Sequence, residues 1–426
     1  MILAPIDPLR EAELRRALES MNTAPGRVHP HNRLIPFDTF DKLHFARLLI
    51  IDDRTVEDIR VFGLQPRKYP LYLAFLGDVD GDPDPFLRAL ARRVPEGLRT
   101  LISCCDGFPP DGELYPWMKA HSVSPAASYV NWRGRTVRRV REEHALHETL
   151  DRYVTQHASD LAELPPREVR MALQKFVDAE KAAGRLTLSP DAPTPLRWRL
   201  ANLLHLVGWP LLLLLLSPLL LVAVVVGAIR LRAHEKSDVN VCPRVDTAYS
   251  NALAALEDHD VTNQFSALGS VKPGVTRRLT VASVLGIIDY FARHLYTRGR
   301  LARVRTIHFA RWVWLDNKER VVFLSNYDGS LESYMDDFIN KAGFGLNASF
   351  GSGVGYPRTN WLVLDGCHDE RNFKEYLRRH QIPTQVWYRG YPSLTAVDLE
   401  RNGRIREGLE AAVMGEREAR AWVGLI

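Results

Sequence analysis

The sequence predicts an α+β protein built from two tandem repeats separated by a hydrophobic membrane segment. Three observations predict it. The stretch from Leu200 to Ile229, LANLLHLVGWPLLLLLLSPLLLVAVVVGAI, contains no Asp, Glu, Lys or Arg. The segments on either side of it share elements in the same order. In both segments helical patterns alternate with short β-branched and aromatic runs, the mark of layered α and β structure.

As a single helix the apolar stretch would be about 45 Å long, against a bilayer core of about 30 Å. That allows one tilted span or a re-entrant hairpin and is too short for two full spans. Pro210 and Ser217-Pro218 interrupt the run, and each proline removes a helix donor. Arg197 and Arg199 precede it; Arg230, Arg232 and Lys236 follow. With both ends basic, the positive-inside rule fits a hairpin whose two ends share one side. The two halves are expected on that same side, since duplicated halves that pair must meet.

A chain of 426 residues implies two folded domains. The net charge of +5 suits an anionic membrane surface and is too small to argue for nucleic acid. Cys104, Cys105, Cys242 and Cys367 show no metal-binding spacing and read as reduced thiols of a cytoplasmic compartment. Met1–Ile6 reads as a short apolar tip followed by charge, not as a signal peptide.

Pro8 to Met21 is an amphipathic helix by spacing, followed by a Pro/His/Asn-rich loop. Strands are expected at Leu43–Ile51 and Leu71–Leu76, a turn at Gly77–Gly81, a helix at Pro85–Val94 and a strand at Leu98–Cys104. In the other half, Ile307-His308-Phe309-Ala310-Arg311 matches His44-Phe45-Ala46-Arg47 and its flank. Val321–Leu324 with Asp328-Gly329 matches the second strand and its turn, and Gly355-Tyr356-Pro357 matches Gly107-Phe108-Pro109. Gly81 to Pro109 and Gly329 to Pro357 both span 28 positions; His121 to Tyr129 and His380 to Tyr388 both span 8. Shared elements in one order indicate duplication. Each half reads β, β, α, β, α, β, α, with Thr55–Arg67 an insertion in the first.

The resulting division is a first repeat over 1–155, a helical linker over 156–196 broken at Pro165-Pro166, a membrane segment over 197–233, a second linker with a unique loop over 234–303, and a second repeat over 304–426. In the second linker Val245–Leu256 reads as a helix, Asn263–Gly274 as a loop, and Val281–His294 as an amphipathic helix.

The duplicated units resemble the dimeric α/β-barrel superfamily, built on ferredoxin-like halves, which includes dye-decolourising peroxidases. Asn263 to Thr359, with VKPG, TIHFARW, SNYDGSLESYMDDF and GVGYPRT, also resembles a group of uncharacterised bacterial membrane-associated proteins. The resemblance implies two ferredoxin-like repeats and a bacterial inner-membrane location with both soluble halves cytoplasmic. It also makes haem the candidate cofactor, since Gly77-Asp78-Val79-Asp80-Gly81 fits the peroxidase GxxDG motif. The residues by themselves define no cofactor.

His44, Arg47 and Asp80, with His308, Arg311 and Asp328, are the candidate catalytic set. His121 and His380 are the candidate haem ligands. Each has a structural alternative. The histidines can be hydrogen-bonded at the sheet interface or sit at helix ends. The arginines can pair with Asp80 and Asp328 across the turn, and Asp-Gly is a turn dipeptide. Asp365, His368, Asp369 and Glu370 read as a helix N-terminus, not a metal site. The run Trp132–Arg141 reads as a charged edge strand, or as a contact for anionic headgroups. The loop Asn263–Gly274 with Arg277 and Arg278 reads as a linker, a cleft cap or a phosphate contact. Together these give a membrane-associated ligand-binding or scaffold protein, whose partners are membrane lipid, its own paired halves and a small molecule. The alternative is a haem-dependent peroxidase using the cleft between the halves.

Overall fold

The computed structural model describes residues 1–191, 193–240 and 242–426. The first half runs β1 (Ile2–Pro5), α1 (Glu11–Glu19), a ribbon of β2 (Asn22–Ala24) and β3 (Gly26–Val28), β4 (Leu43–Ile51), α2 (Val56–Val61) and β5 (Tyr72–Val79). It continues through α3 (Pro83–Arg93), α4 (Pro95–Ile102), α5 (Leu114–Ala120), β6 (Ala127–Val130) and α6 (Val137–Gln156). Then come α7 (Ala158–Ala162), α8 (Pro166–Ala182) and the apolar helices α9 (Leu196–Leu215) and α10 (Ser217–Ser237). The second half has α11 (Thr247–Ala254), β7 (Thr262–Ser270), α12 (Val275–His294), β8 (Ile307–Leu315), β9 (Arg320–Asp328) and α13 (Leu331–Phe350). It ends with the two-residue pair β10 (Thr359–Asn360) and β11 (Leu364–Asp365), then α14 (Glu370–His380), β12 (Val386–Arg389), α15 (Ala396–Glu410) and α16 (Glu416–Val423).

The main strands form a mixed α+β body with two sheets, ordered β1-β5-β4-β12-β3-β2 and β6-β8-β9-β7. The halves exchange a strand. β12 pairs antiparallel with β4, Trp387 opposite Arg47, and β6 pairs antiparallel with β8, Ser128 opposite Arg311. Each half therefore completes the other's sheet, and neither can leave without breaking a ladder.

Alternation along the strands divides the core. Leu49, Ile51 and Leu76 of one sheet meet Val313, Leu315 and Leu324 of the other, so the sheets pack face to face. The outer face of the first sheet is covered by Leu14, Leu90, Leu101 and Met118 from α1, α3, α4 and α5. That of the second is covered by Leu285, Phe338 and Phe373 from α12, α13 and α14. A satellite core joins α6, α8, α15 and α16 through Leu150, Leu173, Ile405 and Trp422.

Several local expectations are corrected. Met1–Ile6 holds a strand, and most of Asn263–Gly274 is β7, paired with β9 from Thr262 opposite Asp328 to Ser270 opposite Arg320. Both are edge strands, where polar and short sequences are tolerated. Leaving aside the β2–β3 ribbon and the short helices α2 and α11, each half thus opens β, α, β, β, and not β, β, α. Leu98–Cys104 belongs to a helix: Leu98, Leu101 and Ile102 are buried at helical spacing. The basic run is no edge strand: Arg133 and Arg135 lie in the turn before α6, Thr136 caps the helix by accepting from the Arg139 amide, and Arg138, Arg139 and Arg141 belong to its first turns. The first turn is shorter than the expected Gly77–Gly81, because Gly77–Val79 continue β5 in its ladder with β4. The turn is made at Asp80-Gly81, as at Asp328-Gly329, with Gly81 and Gly329 at φ of 79° and 81°, where only glycine is unstrained.

Candidate functional site

The candidate residues of the two halves meet between the sheets. β4 and β8 each carry a register irregularity at the same place, between Leu43 and Phe45 and between Ile307 and Phe309. His44 and His308 are the extra residues. A bulge re-aims its side chain, so neither histidine shares the face of the alanine two positions on. Instead His44 packs tilted against Phe309, ring centres 5.6 Å apart, and His308 packs edge-on against Phe45 at 5.3 Å.

Each histidine holds an aspartate. His44 Nε2 lies 2.9 Å from Asp80 Oδ1, and His308 Nε2 lies 2.7 Å from Asp328 Oδ1. The second oxygen of each aspartate accepts a helix N-terminal amide: Val137 of α6 at 3.0 Å and Ala396 of α15 at 2.6 Å. A carboxylate is favoured there by the helix dipole. The duplicated His–Asp pair thus ties a strand to the helix that follows the exchanged strand.

The arginines do not pair with Asp80 and Asp328. The bulge gives those aspartates to the histidines, and both arginines cross to the opposite sheet. Arg47 donates to Phe265 O and Ser266 Oγ at 3.0 Å, to Ser325 O at 2.8 Å and to the Asn326 side chain. Burial pushes its guanidinium down to about 10. Arg311 instead meets the buried Asp78 at 2.5 Å. Asp78, which fits the second position of GxxDG, is therefore committed to an ion pair.

These residues do not fit a haem. The cavity bounded by His44, His308, Phe309 and Tyr391 measures about 20 Å³, whereas small-molecule pockets run roughly 300–1,000 Å³. Phe45, Trp387 and Tyr391 fill the rest of the space. Both ring nitrogens of His44 are engaged, Nδ1 by Tyr391 at 3.0 Å. Burial holds the Tyr391 phenol well above its usual value, hence neutral. The proposed haem ligands lie elsewhere. His121 caps α5, its Nδ1 2.9 Å from Trp117 O, and stacks on Trp117. His380, at the end of α14, is buried with Nδ1 2.8 Å from Leu268 O.

His380 belongs to a different lock. Asp58, in the insertion peculiar to the first half, takes a two-pronged bond from Arg379 at 2.7 and 2.8 Å and lies 3.8 Å from His380 Nε2. Burial still pushes the His380 imidazole below its usual 6.5. Below about pH 6.5 the unfolded chain takes up a proton that the folded chain resists, so this stability is lost as the pH falls. We expect wild type to lose stability more steeply than His380→Asn as the pH falls below about 6.5. Denaturant titrations at stepped pH with equal slopes would refute this.

Among the described residues no group of three or more His, Cys, Asp and Glu is placed to hold a metal. Asp369 caps α14 through the Asn372 amide.

Sequence reasoning missed the clamp at the end of the apolar segment. Asp238, just past α10, places a side chain only 6% exposed between Lys272 Nζ at 2.8 Å and an Arg277 nitrogen at 2.6 Å. Glu235 is fully buried and accepts from Thr359 Oγ1, Trp361 N and Leu362 N at 2.7–2.9 Å. The signal was the presence of two acids after a 30-residue run with none.

α9 (20 residues) and α10 (21 residues) are each long and apolar enough to cross a membrane, by length and composition, so the segment is not too short for two spans as its uncharged run suggested. Most of their leucines and valines are exposed, Leu231 being buried. Their anchors fix their shape. Asn202 of α9 binds Arg293, and Leu206 O accepts from Tyr290, both near the end of α12. Asp238 binds Arg277 at its start. A straight run from Asn202 to Asp238 would span about 54 Å, but Arg277 and Arg293 are only about 24 Å apart along α12. Even with the reach of the side chains, the pair must bend back as a V. With arms of about 21 and 33 Å, its apex near Leu216 stands roughly 15–20 Å from α12.

Comparison with known protein families, curated proteins and solved structures finds no match.

Proposed function

We propose that this is a membrane-associated binding or scaffold protein: two ferredoxin-like halves, interlocked by strand exchange, carried on a helical V embedded in one leaflet. The observation that carries the reading is the V itself. Its apex height is about half of a bilayer core of about 30 Å, and its surface offers no charge between Leu200 and Ile229. Trp198, Trp209 and Trp361 are exposed around it, with Arg197, Arg199, Arg230 and Arg232 at its roots. Tryptophan and basic residues favour the headgroup level. The strand order 1-3-2 in each half, with the fourth strand passed to the partner half, supports the ferredoxin-like reading. The two ends of the V both return to α12, which supports placing both halves on one side.

The protein is expected to float with vesicles in a density gradient and to resist alkaline carbonate extraction. A variant with 200–229 replaced by a Gly-Ser linker should stay at the bottom. Wild type remaining with the soluble fraction would reject the membrane reading.

A further inference from the structure

We propose that a cavity between α12 and α13 takes one hydrocarbon chain of a membrane lipid, entering from the leaflet that holds the V; this rests on the membrane reading above. The cavity has a volume of about 340 Å³, within the size range of small-ligand sites. Ile287, Ile288 and Phe291 of α12 face Phe338, Phe344 and Phe350 of α13 across it. No charged residue lines it, and the Ser349 hydroxyl in its wall is already spent on Gly345 O at 2.6 Å. At the floor, the buried Trp312 has an indole N–H without a partner. The lining holds no charge to meet an anionic ligand, and beyond the Trp312 N–H and the Tyr296 hydroxyl it offers little to pair the several hydroxyls of a sugar.

Two observations point to a chain from the bilayer. The first is the mouth: Phe344 is 62% exposed and Ile287 55%, large apolar groups facing outward around an open apolar cavity. Gly345, between α13's aromatics, has nothing within 4 Å of where a Cβ would stand, so the cavity reaches the helix backbone. The second is continuity. Tyr290, Arg293 and His294, which hold α9, share the face of α12 adjacent to that of Ile287 and Phe291 at about 100° per residue. The mouth therefore opens beside the root of the V, next to the exposed leucines of α9. α12 is apolar beyond what its buried Val281, Leu285 and Ala292 require, and the excess residues line this site.

The test uses the full chain in vesicles of phosphatidylethanolamine and phosphatidylglycerol. These carry a trace of phosphatidylcholine with a diazirine at the end of one acyl chain. After irradiation, adducts are expected on α12 around 284–291 and on α13 around 342–350, as well as on the V around 206–226. Gly345→Phe should lose the cavity adducts and keep those on the V; Ala348→Leu serves if that variant does not fold. Adducts on the V but none in the cavity of wild type would overturn the proposal. So would cavity adducts undiminished in a folded filling variant. Absence of adducts on the V as well, with no flotation, would reject the membrane reading itself and the lipid site with it.

Discussion

An Asp238→Ala variant should unfold roughly 5 °C below wild type in detergent, from a loss of about 3–5 kcal/mol. Lys272 and Arg277 are each about 2% exposed at the side chain. Both direct a nitrogen at the same Asp238 oxygen, and Lys272 has only Gly351 O besides. Burial holds the Lys272 ammonium below its usual value while Asp238 opposes that shift. Removing the acid leaves two buried cations uncompensated, which is far costlier than losing an exposed pair. The double variant Asp238→Ala/Lys272→Met should recover part of the loss, because one stranded charge is gone. A thermal transition within about 2 °C of wild type for Asp238→Ala would show that the clamp is not what seats the V.

The second large effect separates two arginines that the sequence makes equivalent. Arg47→Met is expected to lose about 3 kcal/mol or more, since the Phe265 and Ser325 carbonyls and the Asn326 side chain lose their buried donor. Arg311→Met removes the ion pair to Asp78 and a long 3.4 Å bond to the Gly77 carbonyl, but Asp78 keeps the Asn326 amide at 3.3 Å and the charge of Arg47 nearby, and Arg311 is partly exposed. Its loss should be smaller. Urea titrations read both, and an Arg311→Met loss equal to or above that of Arg47→Met would contradict the assigned partners. Arg47 also lies 5.1 Å from the Trp387 ring, on the exchanged strand. The variant therefore weakens the seam between the halves and not one half alone.

The strand motif shared by the two halves was legible because it rests on identity and spacing, as in His44-Phe45-Ala46-Arg47 and His308-Phe309-Ala310-Arg311. The way the halves join was not. β6 and β12 are four residues each, and nothing in ASYV or VWYR says which sheet will take them. The strands missed at Ile2–Pro5 and Thr262–Ser270 lie on sheet edges, where composition carries little signal. The bulges explain the errors at the candidate site. Strict alternation puts His44 with Ala46, but one extra residue turns it toward Asp80 and Tyr391. That moves the aspartates away from the arginines. Residues kept in both halves proved to be those that hold the sheets and helices together.

The most direct test of the central claim is the sidedness of the V. Single cysteines at Leu196, Leu216 and Ser237, in a background with the four native cysteines replaced by serine, are labelled with a membrane-impermeant maleimide in right-side-out and inverted vesicles. Positions 196 and 237 should react from the same side only, with position 216 protected from both. Reaction of 196 and 237 from opposite sides would mean that the chain crosses the bilayer, and the interlocked halves on one membrane face would have to be abandoned.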